Sequence, residues 1–149
     1  MKKIAHRGNL EGPSERENHP QQIEAAVGLG YDAEVDVWWI AGNELWLGHD
    51  SPTHKITWDW LSQLNPRLWI HCKSPQTLLK FKHTDFHFFW HDLDTYTITS
   101  KGVIWSRPGA LFDQNVVVLM PELSNSNFEL FVIESCYGVC TDFPIRLTF

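Results

Sequence analysis

The sequence predicts an α/β fold: a compact (β/α) TIM-type barrel with reduced helices, seven evident strands and an eighth left open. Three observations predict it. Short apolar runs rich in β-formers recur at 4–8, 33–37, 68–73, 87–91, 103–107, 116–120 and 138–142. Helix-compatible stretches follow several of them, and that alternation points to a mainly parallel sheet. Nearly every run ends on its carboxyl side in residues able to do chemistry: His6-Arg7, Glu34 and Asp36, His71 and Lys73, His91, Arg107, Glu122 and Asp142. A barrel spreads polar groups over many strand ends, whereas an open sheet gathers them at one switch point.

Within 19–30, Ile23, Ala26, Val27 and Gly30 fall at helical spacing, and Gly30 acts as a stop. Gly42-Asn43, set between two aromatic-rich runs, reads as a tight hairpin. A second helix is expected at 57–64, with Trp58, Leu61 and Leu64 on one side. A third starts from Ser74 as cap and Pro75 as first residue, and carries Leu78 and Leu79. Length argues against a full barrel, which commonly takes about 250 residues. The strand starts at 87, 103 and 116 lie only 16 and 13 residues apart, so the later units must be stripped down.

The 149 residues suit one domain, 1–149, with no linker or repeat. Eight Trp and nine Phe in a 43% hydrophobic chain exclude disorder as the main state. A net charge of −6, with no basic cluster beyond Lys2-Lys3, disfavours nucleic acid as a partner. The longest apolar runs fall far short of the roughly 20 residues that span a bilayer. No apolar stretch of signal-peptide length follows Met1-Lys2-Lys3, so a cytoplasmic location is expected. Cys72, Cys136 and Cys140 lack the spacing of a zinc site and read as free thiols.

Glu34 and Asp36 stand at i and i+2 in the otherwise apolar run 33–39, so both carboxylates point to one face. Two buried carboxylates on one face repel each other unless a cation lies between them, and a hard divalent metal is the economical explanation. His71 and Lys73 share one face of the next strand; Leu68, Ile70 and Cys72 share the other, where helices should cover them. His49-Asp50 follows the hairpin and brings a further imidazole to the loop beyond it. His19, His54, His83 and His87 read as surface or packing residues. Trp38, Trp39, Trp46 and Trp105, near strand ends, are candidate walls for a sugar or glycerol pocket. No G-x-S-x-G elbow supports a nucleophilic hydrolase.

The ordered set Ile4-Ala5-His6-Arg7-Gly8, Glu17-Asn18, Glu34-Val35-Asp36-Val37 and His49-Asp50 resembles the glycerophosphodiester phosphodiesterase family of the phosphatidylinositol-phospholipase-like barrels, in a shortened form. The closing 138–144 stretch, with Thr141-Asp142 and Pro144, is similar to that family's last strand. The resemblance implies His6 and His49 as the general acid/base pair and Arg7 and Lys73 as phosphate contacts. It implies Glu34, Asp36 and Glu17 at or beside a divalent metal (Mg²⁺, Ca²⁺ or Mn²⁺), and a small phosphodiester as substrate. Where the family carries a metal-binding Glu, this chain has His71, which joins the expected ligands. His91, Arg107 and Glu122 rank as further site candidates, and Asp142 as a supporting residue. The rival expectation, motivated by that replacement and by the short chain, is an inactive metal- or phosphate-binding barrel module.

Overall fold

A computed structural model describes residues 1–108, 110, 114–123 and 136–147. All seven expected runs form strands: β1 (Lys2–Ala5), β2 (Asp32–Ile40), β5 (Leu68–Cys72), β6 (Phe88–Phe89), β8 (Ile104–Ser106), β9 (Val116–Leu119) and β10 (Gly138–Thr141). Between them lie β3 (Glu44–Leu47), β4 (His54–Ile56) and β7 (Tyr96–Ile98), together with α1 (Pro20–Gly28), α2 (Trp58–Leu64) and α3 (Pro75–Phe81). Each helix starts where its first turn finds an acceptor for an orphan N–H. The His19 ring accepts from Gln21, Thr57 from Trp60 and Ser74 from Thr77, and Pro20 and Pro75 open α1 and α3.

The closed TIM-type barrel is not what these elements build. They form a mixed sheet curled into a half-barrel, with three short α-helices among the described residues. Its main path runs β4-β3-β2-β1-β10-β9-β8-β7, and β5 and β6 branch from β2. The pairs β1–β2, β2–β5, β5–β6, β1–β10, β9–β10 and β8–β9 are parallel, whereas β3, β4 and β7 add antiparallel hairpins. The correction has a physical cause in chain length. A parallel crossover needs about a dozen or more residues, and the stretch from β6 to β8 spends its residues on β7, which folds back on β8. Among the described residues no ladder joins β6 to β8. Ser100 bridges the gap instead: its N–H donates to the Phe88 carbonyl at 2.8 Å and its Oγ accepts from the Phe88 N–H at 3.0 Å.

Strand alternation sorts the side chains into two regions. Val35, Val37, Leu68, Ile70 and Cys72 face outward and are covered by Ile23, Leu61 and Phe81 of the three helices. Each such fully buried aliphatic side chain contributes about 1.5–3 kcal/mol. The inner face is layered. Ile4, Trp69, Phe89, Trp105, Val117 and Cys140 form an apolar floor, in which Trp105 lies 4.5 Å from Phe89 and 5.7 Å from Trp69, centroid to centroid. Two residues further along β1, β5 and β10, the same face carries His6, His71 and Asp142, so the floor supports a polar upper layer.

Candidate active site

The upper layer lines a cavity of about 440 Å³ at the carboxyl ends of the parallel strands. His6, Arg7, Glu34, Asp36, His49, His71, Lys73, His91 and Arg107 all border it. These residues, singled out in the sequence, border one cavity although the closed barrel expected to hold them is absent; Glu17 is not among them.

Glu34 and Asp36 lie mid-strand in β2 and are buried. Pairing of β2 with β5 sets Asp36 opposite His71. One ligand atom each from Glu34, Asp36 and His71 falls within 4.8 Å of the others. One ion with ligands at roughly 2.0–2.6 Å can touch all three. His71 Nδ1 lies 3.0 Å from Asp36 Oδ1 and 3.7 Å from Glu34 Oε1. Lys73 Nζ approaches Asp36 Oδ1 to 3.3 Å, and Arg7 Nε approaches Oδ2 to 3.4 Å. In spite of these neighbours, Asp36 Oδ1 is buried with no hydrogen bond of acceptable geometry. An orphaned carboxylate oxygen aimed into a cluster of ligand-type atoms fits a cation site.

The electrostatics agree with that arrangement. Burial would raise the Asp36 pKa, but His71, Lys73 and Arg7 hold it far below the usual carboxylate range. Burial lowers the His71 pKa, but the two carboxylates overcome it and push the imidazole up to about 9. His71 thus supplies, in the metal-free protein, part of the positive charge that the two acids require.

His6 follows β1 in a tight turn. Its Nδ1 contacts Asp142 Oδ1 at 2.7 Å, and the same oxygen accepts from Asn9 Nδ2 at 2.8 Å. Burial lowers the His6 pKa, yet the bond to Asp142 and the field of Glu34 leave it above its ordinary value. With Nδ1 held by Asp142, Nε2 is the nitrogen left for chemistry. Arg7 adopts a left-handed conformation at φ 51°, which points its backbone N–H at Glu34 Oε2, 3.0 Å away. Gly8 continues the turn at φ +78°, against Ile23 of α1; a Cβ there would lie 2.7 Å from Ile23 Cδ1.

Several expected residues take other stations. Glu17 does not join the three converging ligand atoms: its carboxylate accepts from Arg7 Nη1 at 2.8 Å and from Asn9 Nδ2 at 3.0 Å, so it positions both. His49 borders the cavity from an exposed loop, with Nδ1 2.7 Å from Asp50 Oδ1. Glu122 Oε1 accepts from Thr141 Oγ1 and the Asp142 N–H, behind the His6–Asp142 pair. Of the four candidate wall tryptophans only Trp105 borders the cavity. Trp38 donates to the Gly48 carbonyl, Trp46 to Glu44, and Trp39 packs against Trp58.

Sequence reasoning left Asn9 and Asn18 without roles. Asn18 grips Asp36 twice: its Nδ2 donates to Oδ2 at 2.8 Å and its Oδ1 accepts from the Asp36 N–H at 2.9 Å. The signal for Asn18 was present in its place after Glu17; Asn9, a lone amide after a glycine, gave none. Cys72 and Cys140 are buried free thiols, and no helix among the described residues is long and apolar enough to cross a membrane. No protein-family model, curated protein or solved structure matches this chain.

Proposed function

We propose that the protein is a metal-dependent phosphodiesterase acting on a small phosphodiester, with glycerophosphodiester-like compounds as the leading substrate class. The observation that carries this reading is the convergence of Glu34, Asp36 and His71 in one cavity with His6, Arg7 and Lys73. A divalent ion (Mg²⁺, Ca²⁺ or Mn²⁺) held by Glu34, Asp36 and His71 would polarise the phosphoryl group and neutralise charge that develops on it. The guanidinium of Arg7 and the ammonium of Lys73 bind the phosphoryl oxygens and stabilise that charge electrostatically. His6 and His49 form the acid/base pair: one imidazole takes the proton of the attacking hydroxyl and the other protonates the departing alkoxide. Asp142 fixes the His6 tautomer, and Glu17 keeps Arg7 extended toward the cavity. The nucleophile is water or a neighbouring hydroxyl of the substrate; the second route releases a cyclic phosphate.

A screen of phosphodiesters with each metal and a chelator control tests this reading. His6→Ala and His49→Ala should each lower turnover by roughly 10²–10⁴-fold on the best substrate. Wild-type rates in both variants would overturn the assignment. A second reading, an inactive metal- or phosphate-binding module, is favoured by one observation: the His49 ring is 41% exposed and its partner Asp50 is 93% exposed. Tight metal and phosphate binding without turnover of any diester would select it.

A further inference from the structure

Two carboxylates alone suit hard cations, which prefer oxygen. The third member of the cluster is an imidazole whose orientation is fixed from behind. His71 Nε2 lies 2.8 Å from the His91 carbonyl oxygen, an acceptor only, so Nε2 carries the proton and donates it there. The ring is also held flat against Phe89, with centroids 5.2 Å apart and planes 2° from parallel. Once Nε2–H is committed to the carbonyl, the Nδ1 atom is the one left facing Glu34 and Asp36. A neutral imidazole would then direct its Nδ1 lone pair at a carboxylate oxygen 3.0 Å away, which is repulsive unless a proton or a cation lies between them. Metal-ligating histidines are oriented in this way, by giving their other N–H to a carbonyl or carboxylate. That same oxygen, Asp36 Oδ1, belongs to a residue only 1% exposed and makes no hydrogen bond of acceptable geometry, although Lys73 Nζ also lies 3.3 Å away.

We infer that His71 is a metal ligand through Nδ1, and that the Glu34–Asp36–His71 site selects transition-type ions such as Zn²⁺ and Mn²⁺ over Ca²⁺ and Mg²⁺. The inference rests on the metal site of the proposed function and moves its metal preference from the hard ions Mg²⁺ and Ca²⁺ to transition-type ions. The cause is ligand chemistry: imidazole nitrogen suits Zn²⁺ and its neighbours, whereas Ca²⁺ and Mg²⁺ gain little from replacing an oxygen by a nitrogen. Ligation displaces the Nδ1 proton when His71 starts as the imidazolium, while the Nε2 proton stays on the His91 carbonyl.

The test uses the full chain, freed of metal with chelator and titrated against Zn²⁺, Mn²⁺, Ca²⁺ and Mg²⁺ in competition with an indicator dye. Zn²⁺ and Mn²⁺ should bind at least about tenfold more tightly than Ca²⁺. His71→Gln should lose tenfold or more in Zn²⁺ and Mn²⁺ affinity and little in Ca²⁺ affinity, and His71→Glu should shift the preference back toward Ca²⁺ and Mg²⁺. Unchanged Zn²⁺ affinity in folded His71→Gln would overturn the inference, as would Ca²⁺ binding as tight as Mn²⁺. The wild-type protein supplies a readout that needs no variant to fold: with ¹⁵N-labelled histidine, Zn²⁺ should move the His71 Nδ1 resonance and leave Nε2 protonated. Movement of Nε2 in place of Nδ1, or of neither, refutes the assignment. Metal bound through Nδ1 without diester cleavage would reject the catalytic reading and leave this inference standing.

Discussion

Asn18 occupies the left-handed region at φ 58° and uses both ends of its amide on Asp36, acceptor to the backbone N–H and donor to the carboxylate. A side chain that small, in that conformation, is one of the few that reach both atoms at once. Asn18→Ala removes a hydrogen bond to a buried charge and leaves an alanine in an unfavourable conformation, for a cost of about 2–4 kcal/mol. Urea unfolding measures it, and Asn18→Gly, which tolerates the backbone angle, should recover part of the loss but not the metal affinity. A wild-type midpoint for Asn18→Ala would show the clamp to be idle. Much at this scale was legible in the sequence, because Glu34, Asp36, His71 and Lys73 betray themselves by polarity in apolar strands. Asn9 was not, and Glu17 was read as standing at or beside a metal, because the contact between them and with Arg7 depends on which side chains the fold brings together.

β1 and β10 pair in parallel, and the His6–Asp142 contact ties their carboxyl ends together. That tie makes stability depend on pH with a definite sign. Burial lowers the His6 pKa, but Asp142 and Glu34 raise it above 6.5 in the folded state; its contribution is therefore complete below 6.5 and fades as pH rises through the folded value. Burial raises the Asp142 pKa, but His6 and Asn9 bring it below 3.8; its contribution is complete above 3.8 and fades as pH falls through the folded value. Thermal unfolding of wild type and Asp142→Asn should differ most between pH 3.8 and 6.5 and converge outside that window. A difference independent of pH would mean that Asp142 acts by packing alone. The loop holding His49 offers a second test at this scale. Gly48 has φ +148°, and a Cβ there would sit 2.0 Å from the Ser51 carbonyl oxygen, so Gly48→Ala must displace the turn that carries His49. Under the proposed function its turnover should fall at least about tenfold, toward that of the acid/base knockouts, while the far-UV spectrum is kept; unchanged turnover would detach His49 from the chemistry. Caps and period made the three helices and the hairpin legible, since those signals are local.

Closure of the sheet was not local, and there the sequence misled. Alternating strands and helices imply a barrel only if every crossover has room for a helix, and the stretch after β6 instead returns as β7 against β8. All three described helices pack over β2 and β5 and their neighbours, while the inner floor joins both sides of the half-barrel. Trp105 is central to that floor: it is buried, touches Phe89 and Trp69 from across the unladdered β6–β8 gap, and borders the cavity above. Dispersion and apolar burial thus add to the Ser100–Phe88 hydrogen bonds across a gap that no strand ladder closes. Trp105→Ala should cost about 3–5 kcal/mol, the usual range for deleting a large buried aromatic. That is a large share of the roughly 5–15 kcal/mol total of an ordinary domain. In a chain of this size each kcal/mol lowers the melting temperature by roughly 2–4 °C. The melting point should therefore fall by about 6–20 °C, with loss of the near-UV aromatic signal and greater hydrogen exchange at the Phe88 amide. Leu79→Ala, on the exposed outer face of α3, serves as the control and should stay within about 0.5 kcal/mol of wild type. If Trp105→Ala behaves like that control, the two sides of the half-barrel are held together by something other than their shared aromatic floor.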